Sequence, residues 1–170
     1  MAVSVHGTDP AFERPPVAAR LEFHPARYAD EVAADLVEQV QQEYVLRYGG
    51  RDSAPVDPDE FSPPKGLFLV VLLDGTAVGC GGWRDLGDGR VEIKRMFTAP
   101  AVRGRGIARA LLAELERTAA EAGHSRVVLE TGLAQPEAME LYASAGYDPI
   151  DGFGHYAGEP LSRAFAKDLR

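Results

Sequence analysis

Two glycines and three arginines crowd into the eleven residues from Pro100 to Ala110 of this 170-residue chain. They lie between an apolar, strand-like run (Val91 to Thr98) and an amphipathic helix (Ile107 to Glu121). The first N–H groups of such a helix have no intrahelical acceptor, and the helix dipole is positive there. Together these features make a site for phosphate. Gly104 and Gly106 carry no Cβ, so a bulky anion can approach the main chain closely. Arg103, Arg105 and Arg109 add positive charge in a chain whose formal net charge is −8. The chemistry indicated is the binding of a pyrophosphate.

Two familiar phosphate-binding loops fail at this position. A P-loop ends in Gly-Lys-Ser/Thr, a triplet absent from the sequence. A dinucleotide-binding turn needs Gly-x-Gly-x-x-Gly directly after its strand and an acid at the end of the next one. Glu130 closes the run Arg126 to Glu130 and partly imitates this. The third glycine position, however, is Arg109, and Ala99 to Val102 lengthen the turn. What fits is Arg103-x-x-Gly106-x-Ala108, which resembles the Q/R-x-x-G-x-G/A motif of GCN5-related N-acetyltransferases. A second stretch, from Gln135 through Ala138, Leu141 and Tyr142 to Gly146 and Tyr147, resembles that family's N-x-x-A-x-x-L-Y-x-x-x-G-F/Y pattern. Only its first position departs, with Gln135 in place of Asn. The two motifs stand in the family's order, separated by one helix and one strand, and the resemblance spans roughly Leu21 to Arg170.

The resemblance implies an α/β (α+β) fold with a mixed, mostly antiparallel central sheet flanked by helices. It implies acetyl-CoA as co-substrate, lying in a splay between the two central parallel strands. By carry-over, the backbone of Met96, Phe97 and Thr98 pairs with the pantetheine arm. Arg103, Gly104, Arg105, Gly106, Ile107, Ala108 and Arg109 hold the pyrophosphate, and Gln135 reaches toward the cofactor. The implied reaction is acetyl transfer to a primary amine by direct attack in a ternary complex. The alternative is a non-catalytic acyl-CoA-binding or sensing module. A small-molecule or peptide amine is the expected acceptor, and a homodimer is admitted.

Acetyl transfer makes three physical demands. The acceptor ammonium, with a pKa of about 10, must lose a proton before it can attack. The thioester oxygen gathers negative charge and needs a donor, and the departing thiolate needs an acid. Tyr142, at the Leu-Tyr position of the motif, is the candidate acid; the competing role is packing on the inner face of its helix. Glu92 is the candidate base, because it lies eleven residues before Arg103, where histone-type members of the family place theirs. Its competing roles are a solvent-facing residue near the start of its strand or an ion-pair partner for Lys94 or Arg95. Those two neighbours are expected on opposite faces of their strand, one of them toward the cleft. His155 or Tyr156, in the glycine-rich segment Asp151 to Gly158, could contact the acceptor, with His155 an alternative base. A surface loop without a role is the competing reading.

Around these residues the periodicities place the elements. Arg20 to Phe23 reads as a first strand. Tyr28 to Tyr48 reads as a helix with Val32, Leu36, Val40, Tyr44 and Val45 on one face, stopped by Gly49-Gly50. A proline-rich connection, Arg51 to Lys65, follows. Strands are expected at Gly66 to Leu73, Ala77 to Leu86 and Val91 to Thr98, joined by the turns Asp74-Gly75 and Gly87-Asp88-Gly89. After the loop and its helix come a strand at Arg126 to Glu130, a helix at Pro136 to Ala145 and a strand at Ser162 to Leu169. A right-handed crossover makes Arg126 to Glu130 parallel to Val91 to Thr98. Residues 1–19 read as a flexible extension and 20–170 as one domain.

Composition removes other classes. A net charge of −8 argues against nucleic acid as a partner. One cysteine, Cys80, cannot form an internal disulfide and reads as a buried small hydrophobe. Four scattered histidines lack ligand spacing, so no metal is expected. No stretch approaches membrane-spanning length and no secretory leader is recognisable, so a cytoplasmic location is expected.

Overall fold

The computed structural model describes residues 18–170; the proposed extension, 1–19, lies almost wholly outside them. The described chain runs β1 (Leu21–Pro25), α1 (Glu31–Tyr48), β2 (Gly66–Leu73), β3 (Thr76–Gly87), β4 (Arg90–Thr98), α2 (Ile107–Glu121), β5 (Arg126–Gly132), α3 (Pro136–Ser144), β6 (Asp148–Ile150) and β7 (Ser162–Asp168). Seven strands form one sheet in the order β1-β2-β3-β4-β5-β7-β6. Every pairing is antiparallel except β4 with β5. The mixed, mostly antiparallel sheet flanked by helices is the architecture the motifs imply.

Strand alternation divides the core between the two faces of the sheet. On one face Leu69, Val71, Val91, Ile93, Val127 and Leu129 pack under Leu111 and Leu115 of α2 and Tyr142 of α3. On the other, Phe68, Val70, Cys80 and Phe97 meet Ala33, Leu36 and Val40 of α1. Burying side chains of this size is worth roughly 1.5–3 kcal/mol each, so each face fixes the helix above it. The inward stripe of α1 is centred on Ala33, Leu36 and Val40, which leaves Val32 at 51% and Val45 at 37% exposure, outside the core they were expected to join. Gly49 ends α1 at φ 78°, its N–H returning to the Val45 carbonyl, as a left-handed glycine stop does. The short β6, with a proline at its centre, is an element the periodicities did not reveal.

Two irregularities of β4 matter more than the rest of the sheet. Cys80 pairs with Phe97 and Gly82 with Lys94, so β4 spends one residue more than β3 between those pairs. This is a β-bulge, and at it Arg95 adopts φ 60°. A non-glycine residue held there costs about 1–3 kcal/mol. The bulge resets the alternation: Val91, Ile93 and Met96 face α2 and α3, whereas Glu92, Lys94, Arg95 and Phe97 face the α1 side. The expectation that Lys94 and Arg95 point to opposite faces is therefore wrong. The second irregularity is that β4 and β5 pair only from Arg90↔Arg126 to Glu92↔Val128, although β4 runs on to Thr98 and β5 to Gly132. Beyond Glu92 the two parallel strands part.

Candidate active site

The opening between β4 and β5 is bordered at one end by the loop from Ala99 to Gly106. Gly104 and Gly106 have φ 78° and 80°, and a Cβ at either would meet nothing within 4 Å. Both are in the left-handed region, which glycine enters without steric cost. Gly106 is the N-cap of α2 and offers no side chain, so the first N–H groups of α2 remain available. Ile107 sends its side chain into the core, only 4% exposed, and can serve an anion only through its main chain. Arg103 folds back, its Nε 2.9 Å from the Thr98 carbonyl and its Nη2 2.9 Å from Glu43. Arg109 reaches Ser144 at 2.5 Å, and Arg105 is exposed. The loop is thus a main-chain cradle with arginines at its rim. These features suit a pyrophosphate, and the unpaired edge of β4 from Ile93 to Thr98 suits an extended arm lying beside it.

Phe97 lies in the α1-side core with the Arg103 guanidinium 5.8 Å from its ring centre. Its side chain and that of Met96 serve packing, so any contact either makes with a bound arm is through its backbone. Tyr142 lies in the core on the α2–α3 face of the sheet, beside Met96 of β4. It is 7% exposed, packs on Tyr147 and Phe165, and among the described residues its hydroxyl has only the Met96 sulfur, 4.0 Å away, as a partner. Burial pushes its phenol up to about 12, which keeps it protonated. A buried hydroxyl so poorly partnered is costly. Gln135 precedes α3, and its Oε1 accepts from the Tyr48 hydroxyl at 3.1 Å.

On the α1 side of the opening lies a cleft in two adjoining parts, of about 420 and 380 Å³, which share Lys94, Glu130 and His155. Four chain segments meet there around Asp52. Its carboxylate is bonded by Arg95 and by the Tyr156 hydroxyl at 2.6 Å, and it accepts the Ala54 N–H at 2.9 Å. Burial raises the Asp52 pKa, but Lys94, the Tyr156 hydroxyl and Arg95 outweigh it and hold the carboxyl at about 2. Arg95 also donates to the Tyr28 hydroxyl at 3.2 Å, so the strained bulge is held by two partners from other elements. Glu92 is 5% exposed. Its Oε2 accepts Arg84 Nε at 2.9 Å, and its Oε1 lies 3.6 Å from Lys94 Nζ. The Asp151 to Gly158 segment bridges the cleft: Tyr156 reaches Asp52 and Ser53, His155 Nε2 lies 3.3 Å from Ser53 Oγ, and the Gly154 N–H donates to Glu130 at 3.2 Å.

This geometry coincides with what comparison finds. The model of the acetyltransferase (GNAT) family matches residues 33–147. The chain belongs to the GNAT acetyltransferase family. The match takes in the cradle, the parted strands and α3. Among GNAT relatives, the IAA acetyltransferase of Azospirillum brasilense is 35% identical over 140 residues, covering 82% of this chain and 92% of that protein. A putative acyl-CoA N-acyltransferase from Klebsiella pneumoniae superposes with a TM-score of 0.74 at 28% identity, covering 88% of this chain and 98% of that one. The PaiA N-acetyltransferase of Thermoplasma acidophilum, solved with coenzyme A, shares the fold with a TM-score of 0.67 at 16% identity, over 88% and 99% of the two chains. As a GNAT enzyme the chain is an acyltransferase that uses acetyl-CoA. No helix among the described residues is long and apolar enough to cross a membrane.

Of the residues expected to act, Glu92 lies in the α1-side cleft, Tyr142 on the opposite side of the parted strands, and Arg103 to Arg109 at their open end. Asp52, Arg84 and Glu130 were not singled out as site residues. Asp52 sits in a proline-rich connection with no motif, and Glu130 resembled the last acid of a strand. Nothing local marks either residue.

Proposed function

We propose that the protein moves the acetyl group of acetyl-CoA to a primary amine by direct attack within a ternary complex, with Tyr142 and Glu92 handling the protons. Bound acetyl-CoA supplies a thioester carbon for attack and a thiolate that must be neutralised. The cradle N–H groups from Arg103 to Arg109 hold its pyrophosphate, with Met96, Phe97 and Thr98 offering backbone to the arm and Gln135 standing at the cleft wall. The acceptor enters from the α1 side. Glu92 takes the ammonium proton through water at Oε1, since Arg84 occupies Oε2. Tyr142 delivers the proton of its hydroxyl to the departing sulfur.

The observation that carries this reading is the Tyr142 hydroxyl. It stays protonated, lies beside Met96 on the parted stretch of β4, and its one partner among the described residues is that residue's sulfur at 4.0 Å. A donor left without an oxygen acceptor in an apolar wall is poor for stability and well suited to a thiolate. The test is release of free thiol from acetyl-CoA with a panel of primary amines, followed by Tyr142→Phe. Turnover that depends on the amine, and falls in the variant without loss of acetyl-CoA affinity, supports the assignment. Amine-independent hydrolysis, or equal turnover when chemistry limits the rate, refutes it.

A further inference from the structure

The last two turns of α1 lie across the opening between β4 and β5. On the β4 side Glu43 bonds Arg103 at 2.8 Å, and Arg103 is itself folded onto the Thr98 carbonyl that ends the strand. On the β5 side Arg47 donates to the Ala134 carbonyl at 2.7 Å and pairs with Glu137. Tyr48 donates to Gln135, and its hydroxyl fills the space that a Cβ on Gly132 would need. Tyr44 stands one turn after Val40 and one before Tyr48, on the helix face that packs on the sheet. Held between those anchors, it lines the larger part of the cleft with Lys94 of β4 and Glu130 of β5, both beyond the last β4–β5 pair. Three tyrosines line that part, and two of their hydroxyls are engaged, Tyr48 with Gln135 and Tyr156 with Asp52. The Tyr44 hydroxyl makes no hydrogen bond among the described residues, where no side-chain polar atom is both buried and unbonded. It therefore opens into the cleft. Burial raises its pKa beyond the ordinary phenol range, more than Arg95 lowers it, so it keeps its proton.

We infer that Tyr44 is a further catalytic residue, whose hydroxyl donates a hydrogen bond to the thioester oxygen of acetyl-CoA as negative charge gathers there. This deepens the transferase reading and rests on it. That reading lays the arm along the unpaired edge of β4 and brings the amine in from the α1 side. The acyl group must then turn toward the α1 side to be attacked, and Tyr44 is a free donor in that wall. Lys94, in the same wall, is held between Asp52 and Glu92. Because α1 is anchored to both sides of the opening, the hydroxyl is in place before any ligand arrives. A donor so preorganised in a half-buried site stabilises developing charge with little reorganisation. No proton leaves Tyr44: the oxygen's charge returns to the carbonyl as the C–S bond breaks, and Tyr142 protonates the departing sulfur.

The experiment measures thiol release from acetyl-CoA with the fastest primary amine of the panel, in the wild type and in Tyr44→Phe. The variant keeps the ring and removes only the donor. Its kcat should fall by about a hundredfold, the scale for losing one such donor, while the KM values for acetyl-CoA and the amine hold. A second protein carries a ring-fluorinated tyrosine at position 44, a more acidic phenol and a stronger donor. Its kcat should hold at neutral pH and fall at alkaline pH as that phenol ionises, a limb that the wild type does not show. Should Tyr44→Phe lose its folded circular-dichroism spectrum, the fluorinated protein decides, since it keeps the hydroxyl. Equal kcat in Tyr44→Phe when chemistry limits the rate, or a rise in the amine's KM alone, overturns the inference and leaves the transferase reading intact. A wild-type pH profile in the fluorinated protein does the same. No thiol release by the wild type with any amine overturns both.

Discussion

The two ends of the opening between β4 and β5 are built in different ways. The cradle is contiguous, seven residues from Arg103 to Arg109, and presents main-chain groups made available by two left-handed glycines and an uncapped helix. The α1-side cleft is assembled from side chains of several elements: Asp52 ties the connection after α1 to α1, β4 and the Asp151 to Gly158 segment, and Glu130 of β5 joins that segment through Gly154. Backbone recognition suits a ligand that every member of a family binds, because it needs only glycines and a helix start. Side-chain recognition suits a ligand that differs between members, because single substitutions can alter its charge without disturbing the frame. Changes in the cradle should therefore abolish binding of the common co-substrate, whereas changes in the cleft should alter rate, pH dependence or acceptor choice.

The largest effect is expected at the cradle. Replacing Gly104 and Gly106 together by valine forces two β-branched residues toward φ values that cost at least about 1–2 kcal/mol each, and the N–H groups turn away. Acetyl-CoA affinity, measured by calorimetry, should fall beyond detection while circular dichroism keeps the folded spectrum. Retained affinity would dissolve the contrast between the two regions.

Next in size is Glu92→Gln. Turnover should fall by about a hundredfold, the scale for losing a positioned base. The deficit should shrink as pH rises toward the acceptor's pKa of about 10, where more amine arrives unprotonated. A loss uniform in pH would make Glu92 a binding residue held by Arg84 and not a base.

Tyr142→Phe should lower turnover by about tenfold or more. Acetyl-CoA affinity should hold, and thermal stability should stay level or rise, since the hydroxyl removed has only a sulfur 4.0 Å away. A fall in stability would return Tyr142 to the core.

The smallest effect concerns Asp52 and is read in stability. Its carboxyl sits at about 2 in the folded protein, against about 3.9 in an unfolded chain. The depressed value favours the folded state above pH 4, and that contribution is lost as pH falls from about 4 to about 2. It amounts to roughly 2–3 kcal/mol. Asp52→Asn should lower the melting temperature at neutral pH and flatten its decline across that acid window. An unchanged acid profile would show that the Arg95 and Tyr156 contacts do not bind the cleft together.

Much of the frame was legible because its signals are local. The bounds of β2 and α2 are those the apolar runs and the glycines mark, and the two motifs located the cradle and α3. The faces of α1 were read less well. Val32 and Val45 are apolar by type, but the sheet accepts only the stripe through Ala33, Leu36 and Val40. The periodicity of one helix does not state where its partner's surface ends.

The sequence alone determined where phosphate could be bound, because glycine conformation and helix termini are properties of neighbouring residues. It also marked the two parallel strands, whose parting beyond Glu92 only the fold shows. Only the tertiary structure decided what the acceptor meets. The bulge at Arg95 exists because β4 must match β3 around it, and that one extra residue brings Lys94 and Arg95 to the same face. Asp52 then meets Arg95 and Tyr156 across 43 and 104 residues of chain. Electrostatic pairing depends on distance in space, and nothing in the neighbours of Lys94 along the chain says that it stands between Asp52 and Glu92.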